Sequence, residues 1–135
     1  MFGGALGSIC RAIVQRVVER HTPWPGWTAI CIVNVIGSFI IGLTVSYIST
    51  DLKEISLLNI SPSEAAWKSF ELNELRIFLA VGFCGAFTTF STFALDTVIL
   101  LHTSRTQACI NVVGSTLMAF GAAYFGWYLG GGICL

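Results

Sequence analysis

The chain has 135 residues, 55% of them hydrophobic and only 10% charged, with a mean hydropathy of +0.80. That composition excludes an ordinary soluble domain, and with it a soluble enzyme, and makes the bilayer the solvent. Seven Lys and Arg balance seven Asp and Glu, so there is no basic footprint for nucleic acid and no acidic tail for cations.

The five cysteines are odd in number and lie mostly inside apolar runs, where Cys behaves as a small hydrophobe, so no disulfide framework is expected. The N-terminal MFGGALGSICR lacks the charged region and cleavage site of a signal peptide and reads as the start of a first membrane helix, with nothing removed. A span needs roughly 20 mostly apolar residues. Four stretches qualify as expectations, at about 2–18, 27–48, 77–101 and 108–129, forming one domain over 1–135.

In the first span, Gly3, Gly4, Gly7, Ser8 and Ala12 make small-residue stripes that allow close helix approach, and Arg11 follows on the face of Gly4, Gly7 and Ser8. An arginine at a helix centre costs about 2.5–3.5 kcal/mol on insertion scales. Arg11 is therefore expected either to face a water-filled vestibule or to snorkel to the edge as a structural residue. The link HTPWPGW is a proline and glycine turn with interfacial aromatics.

In the second span, Asn34, Ser38, Gly42 and Ser46 recur every four residues, with Gly37 beside them. Packing accounts for the serines and the glycine. Asn34 is assigned to a pore, because a buried amide left unpaired is costly. The segment 49–74 holds two lysines and most of the acids and reads as an aqueous loop, with room for some helix.

The third span contains GFCGAFTTFSTF, in which Thr88, Thr89, Ser91 and Thr92 crowd the expected mid-membrane region. Its 25 residues leave length to spare for a break, whose freed carbonyls can coordinate a cation. The alternative is an unbroken helix whose hydroxyls bond back to its own carbonyls. Phe90 and Phe93 either pack or present their positive ring edges to a small anion. Asp96, a turn later, is given no proton-relay role. After the short polar link HTSRTQ, the fourth span carries Asn111, Ser115, Ala119, Ala122 and Gly126 as a small and polar stripe, with Asn111 and Ser115 as candidate lining residues.

With four spans, Lys53, Lys68 and Arg76 fall on one side and Arg16, Arg20 and Arg105 on the other. Orientation follows a Lys/Arg excess in cytoplasmic loops, so an even count predicts insertion both ways and an antiparallel pair; the alternative is one orientation fixed by something other than these few charges.

GGALGSICR, NVIGSF and GFCGAFTTFSTF, in this order, resemble the Fluc (CrcB) family of small fluoride channels over most of the chain. The resemblance implies an all-α membrane protein in the cytoplasmic (inner) membrane. Four transmembrane helices, the third broken at mid-membrane, would form an antiparallel dual-topology homodimer. It implies passive fluoride export through two pores flanking a central structural Na+, held by the main-chain carbonyls of Gly85 and Thr88 of each subunit. Phe90 and Phe93 would line each pore, with Asn34, Ser91 and Thr92 opposite and Arg11 at the vestibule. Ser8, Ala12 and Asp96 stand where that family usually has alanine, an aromatic and glutamate. The runner-up expectation is a small dual-topology multidrug exporter coupled to protons, which needs a membrane-embedded carboxylate; Asp96 is the only candidate.

Overall fold

A computed structural model describes residues 2–57 and 61–132, all of the regular structure among them being helical. Helix α1 spans Phe2–His21 and stops where Pro23 and Pro25 withhold amide donors, leaving Thr22 N to close on Val18 O at 3.0 Å. Helix α2 spans Trp27–Leu57, α3 spans Pro62–Arg76, and a π-helical stretch follows directly at Ile77–Cys84. The chain then forms the single turn α4, Gly85–Phe87, leaves helical geometry at Thr88 and Thr89, and resumes as α5, Phe90–Thr103. Helix α6, Arg105–Leu129, is separated from α5 by Ser104 alone, whose N–H donates to Leu100 O at 2.7 Å while its hydroxyl accepts from Gln107 N at 3.4 Å.

The segment 49–74, expected as an aqueous loop with room for some helix, is helical over most of its described length. Helix α2 continues to Leu57, and α3 begins at a capping box in which Ser61 Oγ accepts from Glu64 N and the Glu64 carboxylate accepts from Ser61 N at 3.2 Å, with Pro62 as the first helical residue. Those are strong start signals, and they override the polar composition that suggested a loop. At 31 residues, α2 is about 46 Å long against about 30 Å of hydrocarbon, so its end extends into water with α3 beside it.

Among the described residues, three helical stretches are long and apolar enough to cross a membrane: Trp27–Leu57, Pro62–Thr103 and Arg105–Leu129. The first expected span does form a helix, but Arg11, Arg16, Glu19 and Arg20 keep α1 out of that set. Large apolar side chains face outward on every long helix, among them Leu6, Leu43, Val81, Ile99 and Leu117, the arrangement of a protein whose solvent is lipid.

Helices approach through glycine rather than through interlocking large side chains. A Cβ added at Gly126 would land on Phe39 O and lie 2.9 Å from Leu43 N, and one at Gly42 would strike the main chain of Ala123, so α2 and α6 touch almost backbone to backbone. The same device seats α1 on the π-helical stretch, where a Cβ at Gly3 would lie 2.6 Å from Phe78 O.

Gly126→Ala is expected to lower the thermal unfolding midpoint in detergent, because α2 must move away. Gly121→Ala, on the same helix with nothing within 4 Å of the added carbon, is expected to hold the midpoint or raise it.

Candidate functional site

The centre of the molecule is the two-residue interruption between α4 and α5. Thr88 has φ −75° and ψ 156°, and Thr89 has φ −150° and ψ 112°, both extended. Thr88 still belongs to the preceding turn through its amide and hydroxyl, which donate to Cys84 O at 2.9 Å and 2.8 Å. Thr89 is 7% exposed and starts the next helix, its Oγ1 accepting from Thr92 N at 3.3 Å as an N-cap.

Asn34 of α2 closes the gap. Its Oδ1 accepts from Thr89 N at 2.8 Å and its Nδ2 donates to Thr89 O at 3.2 Å, so one primary amide satisfies both main-chain groups of the residue at the break. Gly37, one turn along α2, makes the approach possible, since a Cβ there would collide with Thr88 Cγ2. A primary amide carries two N–H donors, and Asn34 spends one on Thr89.

The break leaves the last carbonyls before it without helical donors, those of Gly85 and Thr88 among them. The amide that would close on Gly85 O in a continuous helix is that of Thr89, which is bound to Asn34; the amide that would close on Thr88 O is that of Thr92, which is bound to Thr89 Oγ1. These are the two oxygens expected to hold a sodium ion, and a pair of carbonyls turned out of helical bonding suits a hard cation. Two oxygens from one chain fall short of a complete shell, so such a site would need another copy or water.

Beside the break, α2, α5 and α6 enclose an open cavity of about 400 Å³, lined by Asn34, Ser38, Thr88, Phe90, Phe93 and Ser115 among others. The Phe90 and Phe93 rings stand 5.7 Å apart with planes inclined at 43°, and Phe90 is 78% exposed on the surface of the single chain. The cavity wall therefore combines aromatic rings with an amide and hydroxyls in a mostly apolar setting. A small anion suits that chemistry.

Other expected residues lie elsewhere. Ser91 and Thr92 hydrogen-bond through their hydroxyls to Thr89 Oγ1 at 3.3 Å and 3.0 Å, around the cap and outside the cavity lining. Arg11 is half-buried on α1 and is not among the lining residues. Of the fourth-span candidates, Ser115 lines the cavity, while Asn111 is buried behind it. Ala119, part of the small-residue stripe read in the sequence, also lines the cavity; sequence reasoning passed over Thr116 and Phe120 on the same α6 wall, whose signal is a stripe offset by one residue from Asn111 and Ser115.

Asn34→Leu would leave the Thr89 N–H and C=O unpaired, at about 1–3 kcal/mol for each buried group. It is expected to lower the unfolding midpoint and to speed amide hydrogen exchange at Thr89. Asn34→Asp keeps an acceptor for the Thr89 amide but no donor for its carbonyl, and should protect that amide better than leucine does.

Residues 1–127 match the family described as CrcB-like protein, Camphor Resistance (CrcB). The chain is 34% identical over 133 residues to the fluoride-specific ion channel FluC of Thermosipho melanesiensis, covering 96% of this chain and 91% of that one. It is 39% identical over 134 residues to the protein of the same description from Hydrogenovibrio crunogenus, covering 96% and 86%. With that of Methanococcus aeolicus it shares 36% over 123 residues, covering 87% and 84%. Together with its three membrane-length apolar helices, these matches make the chain a multi-pass membrane protein that belongs to the CrcB family.

Proposed function

We propose that this chain forms a fluoride-selective channel that lets the anion leave the cytoplasm passively across the inner membrane. The cavity beside the broken helix carries the reading, because Phe90, Phe93 and the Asn34 amide line it together, and the family relatives named fluoride-specific ion channels agree with it. Helix α1 serves as a fourth, more polar span that leans on the π-helical stretch, with Arg11 toward a vestibule. The functional unit is an antiparallel homodimer, in line with the even division of Lys and Arg between the two sides.

Selectivity follows from size and dehydration. Fluoride leaving water must recover a large hydration energy from ring edges and a few N–H and O–H donors, and a larger halide both fits and bonds less well in the same space. The free N–H of Asn34 is the strongest donor offered by the wall, and the ring edges supply partial positive charge without a counter-ion that would trap the anion. Ser91 and Thr92 continue a polar track past the cavity from the cap of α5. The exposed Phe90 is completed by the second subunit, so each of two pores draws on both chains and a monomer does not conduct.

Sodium fits the break. When bound, it supplies a fixed positive charge at the dimer centre that offsets anions nearby. The Gly85 and Thr88 carbonyls of both copies, freed from helical bonding by Asn34 and Thr89, would hold it. No transported role is assigned to it, and no chemical step is catalysed.

Purified protein in liposomes is expected to release fluoride rapidly while retaining chloride. Phe90→Ile, which keeps bulk but removes the ring edge, should cut the fluoride flux by at least about tenfold, equivalent to ~1.4 kcal/mol on the barrier. If neither anion moves through a well-folded dimer, the channel reading fails. Replacing sodium throughout by a large organic cation is expected to lower the dimer fraction and the flux together.

A further inference from the structure

Behind the cavity, α5 and α6 are joined by a chain of side-chain hydrogen bonds that ends on the main chain. Ser115 Oγ donates to Asn111 Oδ1 at 3.0 Å, Asn111 Nδ2 donates to Thr97 Oγ1 at 3.0 Å, and Thr97 Oγ1 donates to Phe93 O at 2.8 Å. Asn111 is 1% exposed and Ser115 4%, so water does not compete for these groups. The last acceptor sets every direction. A carbonyl cannot donate, so the single Thr97 proton points at Phe93; the Thr97 oxygen then accepts from Asn111, which turns the amide nitrogen to α5 and the amide oxygen to Ser115. An amide oxygen cannot donate either, so the Ser115 proton is committed to the helix seam. What Ser115 turns toward the cavity is lone pair.

We propose that Asn111 and Thr97 are positioning residues for the cavity, a role that rests on the channel reading. They tie α6 to the Phe93 turn of α5, and they keep the Ser115 hydroxyl from donating to an anion. Asn111 thus acts from behind the wall, although the sequence suggested it as lining. With Ser115 withheld as a donor, the anion is held against Phe93 on α5 and the Asn34 amide on α2, and Thr116 is the lining hydroxyl that α6 still offers. A wall with one donor fewer holds the anion less tightly and also releases it, which a conducting path requires.

The test uses the full chain in two assays, thermal unfolding in detergent and fluoride and chloride efflux from liposomes, with Thr97→Val, Thr97→Ser, Ser115→Ala and the Thr97→Val/Ser115→Ala pair. Thr97 and Ser115 are linked through Asn111, so a relay requires their effects to be non-additive. Thr97→Val releases the Asn111 amide to turn and the Ser115 proton to face the cavity. The fluoride-to-chloride flux ratio should change by at least about threefold, Thr97→Ser should stay within about twofold of the parent, and adding Ser115→Ala to Thr97→Val should reverse most of the change. Additive effects in both assays, or no rescue by serine, would overturn the proposal. Should Thr97→Val not fold, Thr97→Ala takes its place; if neither folds while Thr97→Ser does, the pair serves stability alone and the positioning role is overturned. A parent protein that moves no fluoride removes the channel reading, while the unfolding cycle still decides whether the relay exists.

Discussion

An interrupted helix inside a membrane protein exposes amide and carbonyl groups that water cannot satisfy, each costing about 1–3 kcal/mol when buried and unpaired. At Thr89 both groups are taken by one side chain, Asn34, through bonds of 2.8 Å and 3.2 Å. Everything nearby presupposes that pairing. With it, α4 can end and α5 can begin on a new axis, with the Thr89 hydroxyl as N-cap; without it, the chain would gain by closing into a continuous helix.

The break also distributes charge. Because Asn34 and Thr89 Oγ1 capture the amides of Thr89 and Thr92, the carbonyls of Gly85 and Thr88 are left without their helical donors. Asn34 also lines the cavity, together with Phe90 and Phe93. One asparagine thus borders both the break and the cavity. Under the proposed function the two would hold ions of opposite sign close together, which reduces the penalty of holding either at low dielectric.

Such a site needs backbones held at short range. Gly37 lets α2 reach the break, and Gly42 and Gly126 let α2 and α6 pack main chain against main chain. In lipid there is little hydrophobic gain in pushing helices together, so small residues and polar side-chain bonds do that work. The chain Ser115, Asn111, Thr97 and Phe93 O belongs to the same class of contact and ties the opposite wall. Outside the membrane a different logic applies: α3 starts at an exposed capping box and follows the rules of water-soluble helices.

The sequence by itself determined the solvent and the helical class, and it marked where an interruption could fall. Hydropathy and span length depend on composition alone, whereas the hydroxyls beside Gly85 fit a break or an unbroken helix equally, since they can bond back to carbonyls one turn earlier as Thr97 does to Phe93 O. The cap at Ser61 was also legible, in the order Ser-Pro-Ser-Glu, but the acids and lysines around it suggested a loop because composition averages over local start signals. Only the tertiary structure decided which partner would satisfy Thr89, since Asn34 lies 55 residues away and no local pattern specifies that contact. It likewise separated Ser115 on the cavity wall from Asn111 behind it: residues four apart share a helix face, and which of them meets space or a neighbouring helix depends on how α5 and α6 are docked.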